Sequence, residues 1–176
     1  MRDDHVDIHP VRDGEHARAG EVTVNAYREF ATPHSPTWDA YLLRIGDVAG
    51  RSEHATVLVA TTGGVVAGSA TLEIDRRMNP ASTEPLAPDE AHLRMLGVDP
   101  GLQGRGIGRS LVLACIELAR GRGKRRLTLG TGPAMTAAQQ LYTALGFTFE
   151  GERDTPDGVH LLRYTLDIGA DPQATR

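Results

Sequence analysis

The chain has 176 residues, enough for one domain with a sizeable core. A formal charge of −4 argues against a nucleic-acid binder that works through bulk positive charge. No apolar run is long enough to span a bilayer, "MRDDHVDIHPVRDG" has no signal core, and a single cysteine rules out an intrachain disulfide framework, so a reducing, cytoplasmic setting is expected.

In chain order, "HVDIHPV" (5–11) reads as a first strand broken by Pro10. "DGEHARAGEVTVNAYREFA" (13–31) is expected to be helical with Asp13 as its cap. After the prolines of "TPHSPT", a second helical period, "WDAYLLRIGDVAG" (38–50), puts Trp38, Tyr41, Leu42 and Ile45 on one side. "ATVLVAT" (55–61) and "VVAGSATLEI" (65–74) flank a "TGG" turn and form a hairpin. The polar segment 75–89 holds Pro80, Pro85 and Pro88 and reads as a partly stiffened loop that acts on substrate choice.

"AHLRMLGV" (91–98) is a strand that runs into "VDPGLQGRGIGRSLV" (98–112). Beyond that loop Ile107, Leu111, Cys115 and Leu118, widened by Val112 and Ala119, repeat at helical spacing until Gly121 and Gly123 end the helix. "RRLTLGT" (125–131) is a strand, and "PAMTAAQQLYTALG" (133–146) a helix opened by proline and closed by glycine. "FTFEG" (147–151) and "VHLLRYTL" (159–166) are two further strands. The order predicts one α/β domain over 1–168 and a flexible tail at 169–176.

Residues 98–112 hold four glycines, and glycine that dense is unfavourable in backbone entropy unless bare peptide N–H groups are needed. A strand, a glycine turn and a helix N-terminus together make an anion site, with phosphate the usual guest. Spacing discriminates among phosphate loops. A P-loop starting at Gly101 finds its second glycine at Gly106 but has Ile107 where lysine is required. The dinucleotide fingerprint fits Gly104 and Gly106 but meets Arg109 at the third glycine, and "RRLTLGT" ends in threonine rather than an acid. What remains is Gln103-x-x-Gly106-x-Gly108, preceded by V-x-P and followed by "LYTALGF" (141–147).

On those residues, over roughly Leu93 to Phe147, the chain resembles the GCN5-related N-acetyltransferases (GNAT). The resemblance implies a mixed, mostly antiparallel central sheet with a splayed strand pair, flanked by helices. It also implies acetyl-CoA as acyl-donor cosubstrate, lying in the V-shaped split, with no metal. The pyrophosphate would then rest on the amides of Gln103, Gly104, Arg105, Gly106, Ile107, Gly108, Arg109 and Ser110, with Arg105 and Arg109 adding charge. The pantetheine would pair with the strand edge at Leu96 and Val98, as an added strand does. Gly97 stands where the family often bulges this strand to aim an amide at the thioester carbonyl. An asparagine common near the second helix is missing here, so Thr131, Thr136 or Gln139 would have to substitute.

Acyl transfer to an amine poses two proton problems. An amine like that of lysine, with a pKa of about 10.4, is almost wholly protonated at neutral pH, and a leaving thiolate of pKa about 8.5 benefits from a proton. By resemblance Tyr142 is the acid; it also shares an apolar helix face with Ala138, Leu141 and Leu145, so a core role competes. For the base, Glu90 and His92 fall on one face at the start of the central strand, and Glu73 on the preceding strand is a third option. "RGRGKRR" (120–126) reads either as a solvated helix end or as a contact for the adenosine 3′-phosphate. Cys115 reads as inert and buried, and His5 and His9, roughly 13 Å apart along a strand, do not make a metal pair. The expected activity is transfer of the acetyl group to a primary amine by direct attack. A small-molecule amine is the expected partner, with no nucleic acid or membrane; a homodimer stays open. Acetylation of protein lysines or N-termini, or a non-catalytic acyl-CoA-binding module, are the alternatives.

Overall fold

Val57, Leu58, Val59 and Ala60 form an unbroken apolar run, and such a strand must be covered on both faces. The computed structural model, which describes residues 5–75, 86–155 and 158–169, shows how. Strand β1 (Val6–Pro10) leads through a short 3-10 turn into helix α1 (His16–Arg28), followed by α2 (Pro36–Gly46) and α3 (Val48–Ser52). Strands β2 (Thr56–Thr62), β3 (Val65–Glu73) and β4 (Glu90–Val98) precede helix α4 (Ile107–Gly121). Then come β5 (Arg126–Thr131), helix α5 (Thr136–Ala144), β6 (Thr148–Asp154) and β7 (His160–Asp167). Val57 and Val59 pack with Ala19, Val22 and Val48 on the α1 face, while Leu58 and Ala60 join Ile107, Leu111 and Cys115 on the α4 face.

Among the described residues the strands form one sheet in the order β1-β2-β3-β4-β5-β7-β6, antiparallel except for the pair β4–β5. The β2–β3 hairpin turns through Gly63 and Gly64, both left-handed at φ 56° and 79°, as its tight turn requires. This is the mixed, mostly antiparallel α/β architecture that the sequence implies. No helix among the described residues is long and apolar enough to cross a membrane.

Several local expectations change. The first helix starts at His16, because the Arg12 N–H donates to Glu15 Oε2 at 2.9 Å and Glu15, not Asp13, ties down the entry. The segment 38–50 divides in two: Ser35 Oγ caps α2, and the Asp47 carboxylate, accepting from the Gly50 N–H at 2.9 Å, starts α3. Of its expected apolar side only Ile45 is fully buried; Trp38, Tyr41 and Leu42 stay half-exposed. Pro133 lies in a turn ahead of α5 rather than in its first turn, whereas Gly146, at φ 92°, closes that helix as expected. Most of the loop at 75–89 and all of the tail beyond Gly169 lie outside the described residues.

Two glycines set how closely α1 sits. A Cβ on Gly97 of β4 would be 3.1 Å from Ala26 Cβ and 3.4 Å from Thr23 Cα, so α1 lies directly on the strand. A Cβ on Gly20 would be 2.2 Å from the Gly46 carbonyl oxygen, where backbone must move. Gly20→Ala is therefore expected to destabilise the fold by about 1–3 kcal/mol by separating α1 from α2. Gly14→Ala, whose Cβ meets nothing within 4 Å, is the control; chemical denaturation of both variants checks the difference.

Candidate active site

The site begins where a strand pair ends. β4 and β5 are in register over Glu90–Leu93 and Arg126–Leu129, and no pairing continues beyond them. On its other edge β4 stays bonded to β3, with Thr71 opposite Arg94 and Ser69 opposite Gly97, so Ala70 faces two residues, Met95 and Leu96. That is a β-bulge, and Met95 sits in it at φ 52°, a left-handed conformation that is unfavourable by about 1–3 kcal/mol for a non-glycine residue. The bulge thus falls at Met95 rather than at Gly97, whose small size serves α1 instead. Beyond the bulge Leu96 and Val98 are half-buried on an edge that no described strand covers. The opening holds a cavity of about 30 Å³ lined by Tyr27, Arg94, Leu96, Thr131, Ala138 and Tyr142 among others.

The glycine loop follows at once. Asp99 Oδ1 accepts from the Gly101 N–H at 3.0 Å, and Asp99 Oδ2 takes the Arg18 guanidinium of α1 at 2.6 Å. Arg18 also donates to the Val66 carbonyl at 3.3 Å, so it fixes the start of the loop against both α1 and β3. Nothing in a sequence pattern joins Arg18 to Asp99. Gly104 and Gly106 lie at φ 77° and 78°, and a Cβ on either would meet open space. Their necessity is conformational: only glycine takes that backbone freely, and it faces several N–H groups the same way. The first bond inside α4 runs from the Ser110 N–H to the Gly106 carbonyl at 3.0 Å. Hence the amides of Ile107, Gly108 and Arg109 lack an intrahelical acceptor, whereas that of Ser110 is already used. Arg105 and Arg109 are exposed at the rim. Gln103 donates from Nε2 to the Val98 carbonyl at 3.4 Å and so folds its side chain back on the strand end.

On the far wall, Tyr142 answers to both readings. It is buried, with its ring 5.6 Å from Phe147 and 6.3 Å from Tyr164, and it also lines the opening. Burial pushes its pKa well above the ordinary value, and nearby Cys115 adds to the effect, so it stays protonated through neutral and alkaline pH. Gln139 donates to the Gly132 and Pro133 carbonyls, both at 3.1 Å, and Thr131 turns its hydroxyl toward Met135 Sδ at 3.6 Å. Both side chains hold the turn before α5. Cys115 is fully buried and its thiol is pushed up to about 12 by desolvation, which leaves almost no thiolate at neutral pH.

The expected base residues separate. Glu90 sits at the closed end of the β4–β5 pair, ion-paired with Arg126 and accepting from the Ala87 N–H at 3.0 Å. Burial alone would raise its pKa, but the Ala87 amide and the Arg126 guanidinium outweigh that and hold it below the glutamate range. It fastens the sheet, which weighs against the base role expected of it. His92 Nδ1 lies 2.8 Å from Thr128 Oγ1, one residue before the strands part. Glu73 is buried and ion-paired with Arg94 at 2.7 Å. The basic run at 120–126 is also structural, since Arg120 donates to the Ile168 carbonyl at 2.9 Å and Lys124 to that of Pro88 at 2.8 Å. It lies at the opposite end of α4 from the glycine loop, about 22 Å away over 15 residues, which favours the helix-end reading over a 3′-phosphate contact.

An open strand edge thus leads directly to a helix start whose first amides lack intrahelical acceptors. The model of the Acetyltransferase (GNAT) family matches residues 23–147, and the chain belongs to that family. It is 48% identical over 54 residues to a mycothiol acetyltransferase of Streptosporangium roseum, 31% of this chain and 16% of that protein. The chain spans between 16% and 38% of the length of two such curated relatives it matches. Among solved structures, the ribosomal-protein-S18-alanine N-acetyltransferase from Escherichia coli is similar at 24% identity and TM-score 0.67, covering 98% of this chain and 99% of that one. An acetyltransferase from Salmonella typhimurium, solved with its cofactor acetyl-CoA, is similar at 23% identity and TM-score 0.67 over 97% and 99%. At these identities the likeness to solved structures is one of fold.

Two outcomes are expected. Gly106→Glu should abolish CoA binding in calorimetric titration, because it adds a like charge among the amides; the non-glycine residue at this φ also lowers stability by about 1–2 kcal/mol. Native protein at pH 8 should resist iodoacetamide at Cys115 and react once unfolded, as followed by mass spectrometry, and Cys115→Ala should keep its folded CoA affinity.

Proposed function

We propose that the protein is an acetyl-CoA-dependent N-acetyltransferase that acetylates a primary amine on a small molecule. The observation that carries the reading is the parting of β4 from β5 beyond Leu93, with the glycine loop at its outer end and Tyr142 beside it. The unpaired β4 edge at Leu96 and Val98 can take an extended pantetheine as an added strand. The free amides of Ile107, Gly108 and Arg109, with the helix dipole behind them, suit a pyrophosphate, and exposed Arg105 and Arg109 supply countercharge. The relatives named mycothiol acetyltransferase support a small-molecule acceptor.

The chemistry then needs no covalent enzyme intermediate. The amine nitrogen attacks the thioester carbonyl carbon, the C–S bond breaks, the amine loses a proton to solvent, and the thiolate departs. Cys115, protonated and buried, is no nucleophile. Tyr142 is held protonated by its surroundings and acts as hydrogen-bond donor to the departing sulfur. Its raised pKa makes complete transfer to a thiolate of pKa about 8.5 uphill, so donation of a hydrogen bond is the larger part of its role. With Glu90 and Glu73 both held in ion pairs, the minimal step takes the neutral fraction of the amine, and the rate follows that fraction.

Thiol release from acetyl-CoA over a panel of amines tests the reading. Turnover with at least one amine is expected, with kcat/KM rising about tenfold per pH unit below the amine pKa. CoA binding without thiol release from any amine would make the protein a binding module instead. Tyr142→Phe deletes one hydroxyl and keeps the ring packed on Phe147 and Tyr164; kcat should fall by about 10²–10³-fold, the usual loss for one transition-state hydrogen-bond donor, while the Kd for CoA barely moves. A parent-like rate at saturating amine would remove Tyr142 from the mechanism.

A further inference from the structure

Beneath the split, on the α1 face of the sheet, two arginines meet. Arg51 of α3 donates from Nε to Thr71 Oγ1 at 2.9 Å and from Nη1 to the Ile45 carbonyl at 2.9 Å. Its Nη2 is buried and has no hydrogen-bond partner among the described residues. Thr71 stands directly opposite Arg94 in the β3–β4 register, so the two guanidinium-bearing side chains belong to one cross-strand site. Arg94 lines the opening between β4 and β5 and ion-pairs with buried Glu73 through Nη1 at 2.7 Å.

The electrostatics agree with the geometry. Desolvation first, and then the charge of Arg94, pull the pKa of Arg51 down to about 10, against the opposing charge of Asp47. The Asp47 carboxylate itself accepts from the Gly50 N–H at the start of α3. Arg51 therefore remains a cation at neutral pH, half-buried, with one donor group unused. A buried guanidinium N–H without an acceptor is unfavourable, and a carboxylate is the planar partner that matches a guanidinium fork. Around this corner stand aromatic rings: Tyr27, which lines the opening, is 6.2 Å from Tyr41, and Tyr41 is 5.5 Å from Trp38. They supply an apolar wall for whatever carries the anion. The coenzyme's phosphates are assigned elsewhere, to the loop beyond Val98 at the outer end of β4.

We propose that Arg51 and Arg94 form the receptor for a carboxylate on the acceptor, so that the amine acetylated belongs to an amino-acid-like molecule. This rests on the acetyltransferase reading and names its acceptor class. The amine end would lie toward the parting of the strands and the carboxylate against the two arginines, with the aromatic cluster beside the remainder.

The test is a matched series on one amine skeleton: an amino acid, its carboxamide and its decarboxylated amine, each assayed for thiol release from acetyl-CoA. The amino acids are expected to have the lowest KM. Arg94→Gln should raise KM for the carboxylate acceptor about tenfold to a hundredfold and change it far less for the other two. Arg51→Lys keeps a charge but loses the fork, and should act in the same direction. Circular dichroism and CoA titration confirm that each variant is folded. Equal or better turnover of the carboxamides and decarboxylated amines, or a KM rise of the same size for all three, overturns the proposal. Calorimetric titration of the CoA-bound protein with the same series gives a readout independent of turnover. If no amine is acetylated, the transferase reading fails, yet selective binding of the carboxylate form, lost in Arg94→Gln, would still support the receptor, and absence of such selectivity would refute it.

Discussion

One constraint shapes this molecule: β4 must pair with two neighbours at its start and with only one at its end. A strand inside a sheet that loses a partner exposes peptide groups which, buried without a bond, are strongly unfavourable. Here the register with β5 stops at Leu93, and the left-handed Met95 immediately afterwards takes the strand out of line. The strain at Met95 is sustained because the residue is buried and its strand is paired with β3 on both sides of the bulge. The opening, the exposed strand edge and the position of the glycine loop all follow from that single departure.

Both ends of β4 are clamped by charge. At the closed end Glu90 is ion-paired with Arg126 on β5, and at the open end Asp99 takes Arg18 from α1. Glu90 has a depressed pKa in the folded chain, so its contribution is present above the unfolded pKa and lost as pH falls through the folded one. The closed end is thus secured across the whole neutral range. The Arg18–Asp99 pair is more solvated, and much of its effect is geometric: it fixes where the loop starts. Since a shift of about 1 Å between reacting groups can lower a rate a hundredfold, fixing both ends of one strand is a direct route to a site of constant width.

What could be read from the sequence is what residue type alone enforces. The glycines at 104 and 106 are legible because the left-handed backbone admits little else, and the helix after them because its apolar stripe repeats from Ile107 to Ala119. The bulge was not legible: methionine gives no sign of a left-handed backbone, and Gly97 two residues on is the natural but mistaken choice, its size being required by Ala26 and Thr23 on α1. Alternation puts Glu90 and His92 on one face but cannot say that Arg126 neutralises the first. The same blindness to tertiary partners hides Arg51, which lies between the expected helix 38–50 and the expected strand 55–61 and bonds to Thr71 of β3.

The two faces of the sheet divide the remaining tasks by polarity. On the α4 face Leu111, Cys115, Tyr142 and Phe147 share one apolar cluster in which the thiol and the phenol are held protonated, and Tyr142 lines the opening. On the α1 face Arg94 lines the opening, with Glu73 ion-paired to it, Thr71 opposite it in the strand register and Arg51 bonded to Thr71. Apolar walls suit a thioester arm, which carries no charge of its own, whereas deep charge is unfavourable to bury and is explained most simply by a ligand that shares it. The split is therefore asymmetric by construction: under the proposed function its apolar face takes the acyl donor and its charged face the acceptor.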